Sequence, residues 1–180
     1  MIGFTHRGDR IVVAVDTHDG ALLQQLIADY VGILKARLKP FGTIVTEPED
    51  PVLRRLFPDP VMGDPFESID VRTITEPSLI AHRLQNANAV LACLDDPGPL
   101  TDAQEFAWLK VLNDLRLVLS VHLGIVQDGD EGASETEEDL RRQAAYRWLG
   151  NALGDLLGAI EDRGPVDRPA IWPLGPGGDE

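Results

Sequence analysis

The sequence is poor in cysteine: Cys93 stands alone among 180 residues. That excludes an intramolecular disulfide and a zinc cage built from thiolates. Long apolar runs are also missing, with none near the ~18 residues that a spanning helix requires. The opening stretch MIGFTHRGDR lacks the apolar core of a secretory signal. These absences predict a cytoplasmic protein with no membrane partner. Basic residues are the next deficit, with 16 Lys and Arg against 30 Asp and Glu, for a net charge of −14. Part of the excess lies in DGDEGASETEED, residues 128–139, which holds seven acids and no base, yet the remainder is still acidic. Phosphate backbones repel such a surface, so duplex DNA binding would require a local basic patch working against the global field.

Catalytic signatures are missing too. The chain contains no GxGxxG, no GxxxxGK[ST] and no Gly-x-Ser-x-Gly elbow, and its terminal GPGG reads as a flexible tail. His6, His18, His82 and His122 show no HxxxH or HExxH spacing, so no metal site is expected. The acidic segment has the length of an EF-hand loop, but Ala133 replaces the required glycine and a Glu is missing at its last position. It reads as a solvated acidic loop. No cofactor is expected.

What is present is helical patterning on a 43% apolar composition. Gly8-Asp9 followed by the β-branched run from Ile11 to Val15 predicts an N-terminal β-hairpin. Asp16 or Thr17 caps a helix in which Leu22, Leu23, Leu26, Ile27, Tyr30, Val31 and Leu34 recur at helical spacing. Residues 43–74 are broken by proline; Asp50-Pro51 predicts a short helix, and a second short helix is expected after Asp64. Thr75 is expected to start a longer helix that ends at LDDPGP, with Cys93 as a small core residue. Thr101 to Gln104 has capping-box spacing, opening a helix to about Ile125. Ser134 to Glu137 is a second such box, opening a helix to Asp162. The fold class is therefore mainly α: a helical bundle of about four longer helices with an N-terminal hairpin and a proline-broken connector. Residues 1–162 read as one domain and 163–180 as a Pro/Gly-rich tail, in which Trp172 is expected to dock on the domain or on a partner.

Within the fourth of these segments, LNDLRLVLSVHLG places Asn113, Asp114 and Arg116 in a helix that is apolar around most of its circumference. Charges there must find partners, because an unpaired buried charge is expensive. The connector offers Asp50, Arg54, Arg55, Asp59, Asp64, Glu67, Arg72 and Glu76. The expected arrangement is a structural polar network of Arg55, Asp59, Arg72, Glu76, Asn113, Asp114 and Arg116 that pins the connector to the central helix. The competing enzymatic reading requires one deep pocket lined by Asp114, Arg116, His122 and connector acids.

The segments DPVLRRLFPDP, FAWLKVLNDLRLVLSVHLGI and YRWLGNALGDLLGAIED resemble an actinobacterial family catalogued as a domain of unknown function, numbered two-zero-one-seven. The resemblance extends to about Asp162 and implies a gene neighbourhood shared with the ClpS protease adaptor. It implies no established enzymatic activity, and a stress-responsive transcriptional regulator among the roles. Arg72, Thr75 and Glu76 keep the family pattern, whereas His122 stands where the family favours arginine. A redox switch built on a local cysteine pair cannot operate with Cys93 alone. The combined expectation is a non-enzymatic regulatory or adaptor protein acting through protein contacts with an unidentified partner, a homodimer being one form. The alternative is a DNA-binding regulator.

Overall fold

The computed structural model describes residues 2–40, 43–127, 130 and 132–163. Trp172 and the tail beyond Arg163 lie outside them, as do Asp128, Gly129 and Glu131 of the acidic segment. The chain opens with strands β1 (Ile2–Arg7) and β2 (Arg10–Val15), paired antiparallel in the register Ile2↔Val15 to Arg7↔Arg10. Gly8 turns the hairpin at φ +67°, a left-handed conformation that glycine adopts without strain. The two-residue alternation buries Ile2, Phe4, Ile11 and Val13 on one face. Phe4 meets Trp108 edge to face, with ring centroids 5.5 Å apart.

Five helices follow among the described residues: α1 (Thr17–Arg37), α2 (Pro51–Leu56), α3 (Pro65–Asp95), α4 (Asp102–His122) and α5 (Glu137–Asp162). Asp16 caps α1 by accepting from the Asp19 amide at 2.9 Å. Asp50 caps α2 and Asp64 caps α3, each with proline at the first helical position, as the Asp-Pro pairs predict. Thr101 and Gln104 form the expected capping box of α4. That helix stops at His122 rather than Ile125, because Gly124 takes φ +68° and closes the C-terminus. α4 packs on α1, α2, α3 and α5 and is the centre of the bundle. Its buried Ala107, Trp108, Val111, Leu112, Leu115, Val118 and Leu119 face those neighbours.

Two further boundary expectations are corrected. The second short helix after Asp64 and the longer helix from Thr75 are one 31-residue helix, α3, which runs through Pro77. Proline removes the helical donor to the Thr73 carbonyl at a cost of about 3 kcal/mol or more. The turn before it is fastened from outside: the Thr73 hydroxyl accepts from the Val45 amide at 2.9 Å, and Arg72 and Glu76 are buried in an ion-pair cluster. Packing therefore overrides the local breaker. The second correction concerns α5. Its capping box is formed by Thr136 and Asp139, two residues after the Ser134–Glu137 box that the sequence suggests. Gly132 fixes the approach, since at φ +77° a Cβ there would stand 3.0 Å from Leu123 and Ile125 side-chain atoms.

Cys93 is 4% exposed, and burial pushes its thiol above the ordinary cysteine range. The native protein should alkylate with iodoacetamide roughly 100-fold more slowly than the unfolded chain, the factor given by an opening free energy of about 3 kcal/mol. Mass spectrometry of timed quenches reads this directly, and equal rates in the two states would contradict it.

Candidate functional site

The polar residues of α4 do not form one network. Asp114 and Arg116 face different neighbours, and the connector charges form a cluster of their own. Asp114 is 5% exposed and faces α1 and α3. It accepts a 2.6 Å hydrogen bond from the Tyr30 hydroxyl and pairs with the Arg83 guanidinium. Burial, and then the Asp114 charge and hydrogen bond, hold the Tyr30 phenol far above its usual range. Burial alone would lower Arg83, but the Asp114 carboxylate beside it outweighs this and raises it. Neither Tyr30 nor Arg83 is among the expected network residues.

A second cluster joins the connector to α1 and α3 without reaching α4. Glu76 accepts from Arg37 Nε at 2.6 Å and from Arg72 Nη1 at 3.1 Å. Asp59 lies 3.5 Å from Arg72 Nη2, a charge contact rather than a hydrogen bond. Arg72 Nη1 also donates to the Phe57 carbonyl at 3.0 Å, and Arg83 Nη2 donates to Leu56 at 2.9 Å. Two α3 arginines thus satisfy C-terminal carbonyls of α2 that the helix leaves without donors.

Arg116 faces a third direction, toward α5. Its Cζ lies 4.8 Å from the Tyr146 ring centroid and Nη2 donates to the Tyr146 hydroxyl at 3.2 Å. Asn113 and Arg55 are exposed. Of the seven expected residues, the structure brings Asp59 and Glu76 each into contact with Arg72. It places Asp114 in a different cluster, and Arg116 with Tyr146. Elsewhere, Arg163 and Glu105 form a nearly buried bidentate pair at 2.5 and 2.9 Å, tying the end of α5 to the start of α4.

Between α2, α3 and α4 lies a groove of about 500 Å³. Leu79 and Phe106 are half exposed within it, at 49% and 54%. Arg55, His82, Arg83 and Lys110 surround these apolar side chains, with Lys110 Nζ 5.1 Å from the Phe106 ring centroid. Arg83 is neutralised by Asp114, which leaves Arg55 and Lys110 as exposed cations with no carboxylate partner among the described residues. The groove is a small cationic, half-apolar surface on an acidic chain. The enzymatic arrangement is not assembled there: Asp114 lines this groove, Arg116 lines a separate cavity, and His122 lines neither. No group of three His, Cys, Asp or Glu among the described residues is placed to hold a metal ion, and none of their helices is long and apolar enough to cross a membrane.

Residues 1–160 match a family described as a domain of unknown function (DUF2017). The oxidative stress regulator AosR of Mycobacterium tuberculosis is 31% identical over 173 residues, covering 81% of this chain and 79% of that protein. The putative oxidative stress regulator AosR of Mycobacterium leprae is 29% identical over 173 residues, covering 81% of this chain and 80% of its own. No solved structure gives a significant match.

Proposed function

The chain belongs to the DUF2017 family, and on that premise we propose that it is a non-enzymatic regulatory protein that docks an acidic, partly apolar segment of a partner protein. Relatives named as oxidative stress regulators support the regulatory part. The observation that carries the docking part is the groove between α2, α3 and α4. Half-exposed Leu79 and Phe106 offer area that water leaves readily, and Arg55 and Lys110 attract carboxylates toward it. The chain as a whole carries a net charge of −14 and repels the same segment, so charge contributes to where it docks.

Binding to duplex DNA is the second reading, favoured by the same cations. Their number in the groove counts against it. Arg83 and Arg54 are paired with Asp114 and Glu47, leaving Arg55 and Lys110. Two cations fall well short of the roughly 6–10 phosphate contacts typical of duplex binding.

The test is a pull-down with the double variant Arg55→Glu/Lys110→Glu, beside Lys35→Glu/Lys39→Glu, which makes the same charge change on exposed residues at the end of α1. After nuclease treatment, the partner should bind the groove variant at least ~10-fold more weakly while the control is unaffected. Equal loss in both variants would reduce the effect to net charge and remove the groove from the account. Recovery only from untreated lysate would favour the DNA reading. A wild-type dimer in light scattering that the groove variant splits would make a second copy the occupant.

A further inference from the structure

On the other side of Arg55, a second cavity of about 330 Å³ opens between the C-terminal half of α4, the segment Ile125–Gln127 and Tyr146 of α5. Its volume is at the lower end of the range for small-molecule sites. The side chains facing it include Arg55, Asn113, Arg116, Gln127 and Tyr146, together with the edges of Leu117 and Ile125. Among the described residues, no Asp or Glu lines it.

Arg116 is the central feature. It lies against the Tyr146 ring on one side, and its guanidinium also borders Gly150, where a Cβ would come within 3.5 Å of Nε. This packing fixes the fork in one plane before any ligand arrives. Only the Tyr146 hydroxyl accepts from it among the described residues, and Nε is buried with no acceptor. No carboxylate among those residues pairs with it. A buried charged donor left unsatisfied is destabilising, so the fold retains a held, charged fork at a cost. The exposed Arg55 likewise has no carboxylate partner among the described residues, and the Asn113 and Gln127 amides supply neutral donors.

Arginine forks match the paired oxygens of phosphate and carboxylate in two parallel hydrogen bonds. We propose that this cavity binds a small ligand carrying an oxyanion, a phosphate or a carboxylate, with Arg116 as the oriented fork and Arg55 as the second cation. The site is separate from the docking groove, although Arg55, Asn113 and Leu117 border both. A ligand seated here neutralises Arg55 and so weakens the attraction of the groove for an acidic partner.

The experiment is calorimetric titration of the full chain with inorganic phosphate and, in a separate arm, with succinate, both at constant ionic strength against chloride. Thermal unfolding in the same solutions is the second readout. Saturable binding of either at millimolar concentrations is expected, with a Tm rise of a few degrees. Phosphate alone saturating assigns the phosphate class, and succinate alone the carboxylate class. Arg116→Gln and the exposed Arg55→Gln should each weaken it at least ~10-fold, and Arg116→Lys should recover only part, because the charge remains without the fork. Lys110→Glu lines the groove but not this cavity, and should retain the anion. That separates failure of this site from failure of the docking groove. No saturable binding by either anion, or binding unchanged by Arg116→Gln and Arg55→Gln together, overturns the proposal.

Discussion

Glu76→Ala should lower the unfolding free energy by roughly 3–5 kcal/mol and Tm by on the order of 10 °C. Glu76 is 2% exposed and accepts from two arginines, Arg37 and Arg72, whose side chains are only 10% and 3% exposed. Removing the carboxylate leaves both cations largely out of water, with Asp59 at 3.5 Å as the remaining charge near Arg72. The loss comes less from the pair's own attraction than from these uncompensated charges. Two further variants separate the causes. Glu76→Gln keeps shape and hydrogen-bond acceptance without charge and should fall between wild type and alanine. Glu76→Leu combined with Arg72→Met removes both members of the pair on α3 and should recover part of the loss, since only Arg37 is then left without its carboxylate. Denaturant titration measures all three. A fall below about 1 kcal/mol for Glu76→Ala would place this cluster with surface ion pairs.

The same cluster explains why the α3 boundary was not legible in the sequence. Pro77 and the Asp-Pro punctuation before it argue for a break, and no local signal contradicts them. The contradicting term is tertiary: the buried faces of residues 72 and 76 close onto Arg37, which lies 39 positions from Glu76. The shifted cap of α5 has a more local cause. Ser134-to-Glu137 and Thr136-to-Asp139 both have cap spacing, and Gly132, held against Leu123 and Ile125, selects the second. By contrast, the hairpin, the α1 cap, the Asp-Pro starts of α2 and α3 and the central position of α4 each rest on a local rule with no tertiary competitor.

The site was legible in part. The sequence identifies Asp114 as a charge in an apolar helix and Arg72 and Glu76 as connector charges, but it does not say which meets which. Arg83 could have been found. On α3 the positions 72, 76, 80, 83 and 87 fall on one helical stripe, four of them buried and Arg83 partly so. A break placed at Thr75 separates Arg83 from the first two and hides the stripe. Tyr30 was hidden differently: its ring belongs to the apolar face of α1, and only its hydroxyl is polar. Arg116 departs from the rule that a buried arginine seeks a carboxylate: it rests on an aromatic ring.

Asp114→Asn is the most informative single change, because it acts on stability and on the groove in opposite directions. Tyr30 and Arg83 both depend on the Asp114 carboxylate. Its neutralisation should cost about 3 kcal/mol, at the lower end for a buried pair because the Arg83 side chain is 22% exposed. The Tyr30 phenol gives a spectroscopic readout of the same event. Its folded pKa lies above the ordinary 10.0, so the native state holds that proton more tightly than the unfolded chain does. The stability from the neutral phenol is therefore complete below pH 10 and is lost as pH rises toward the folded value. In wild type, one of the two tyrosines should ionise only with unfolding. In Asp114→Asn the phenol is still buried but the carboxylate charge is gone, so Tyr30 should titrate lower than in wild type, read as tyrosinate absorbance. At the groove the sign reverses. Arg83 loses the carboxylate that neutralises it, the groove gains one positive charge, and an acidic partner should bind more tightly with a steeper dependence on salt. A variant that is less stable yet binds its partner better would tie the polar centre of the bundle to docking. Weaker binding from a fully folded Asp114→Asn protein would show that Asp114 positions the groove, rather than merely setting its charge.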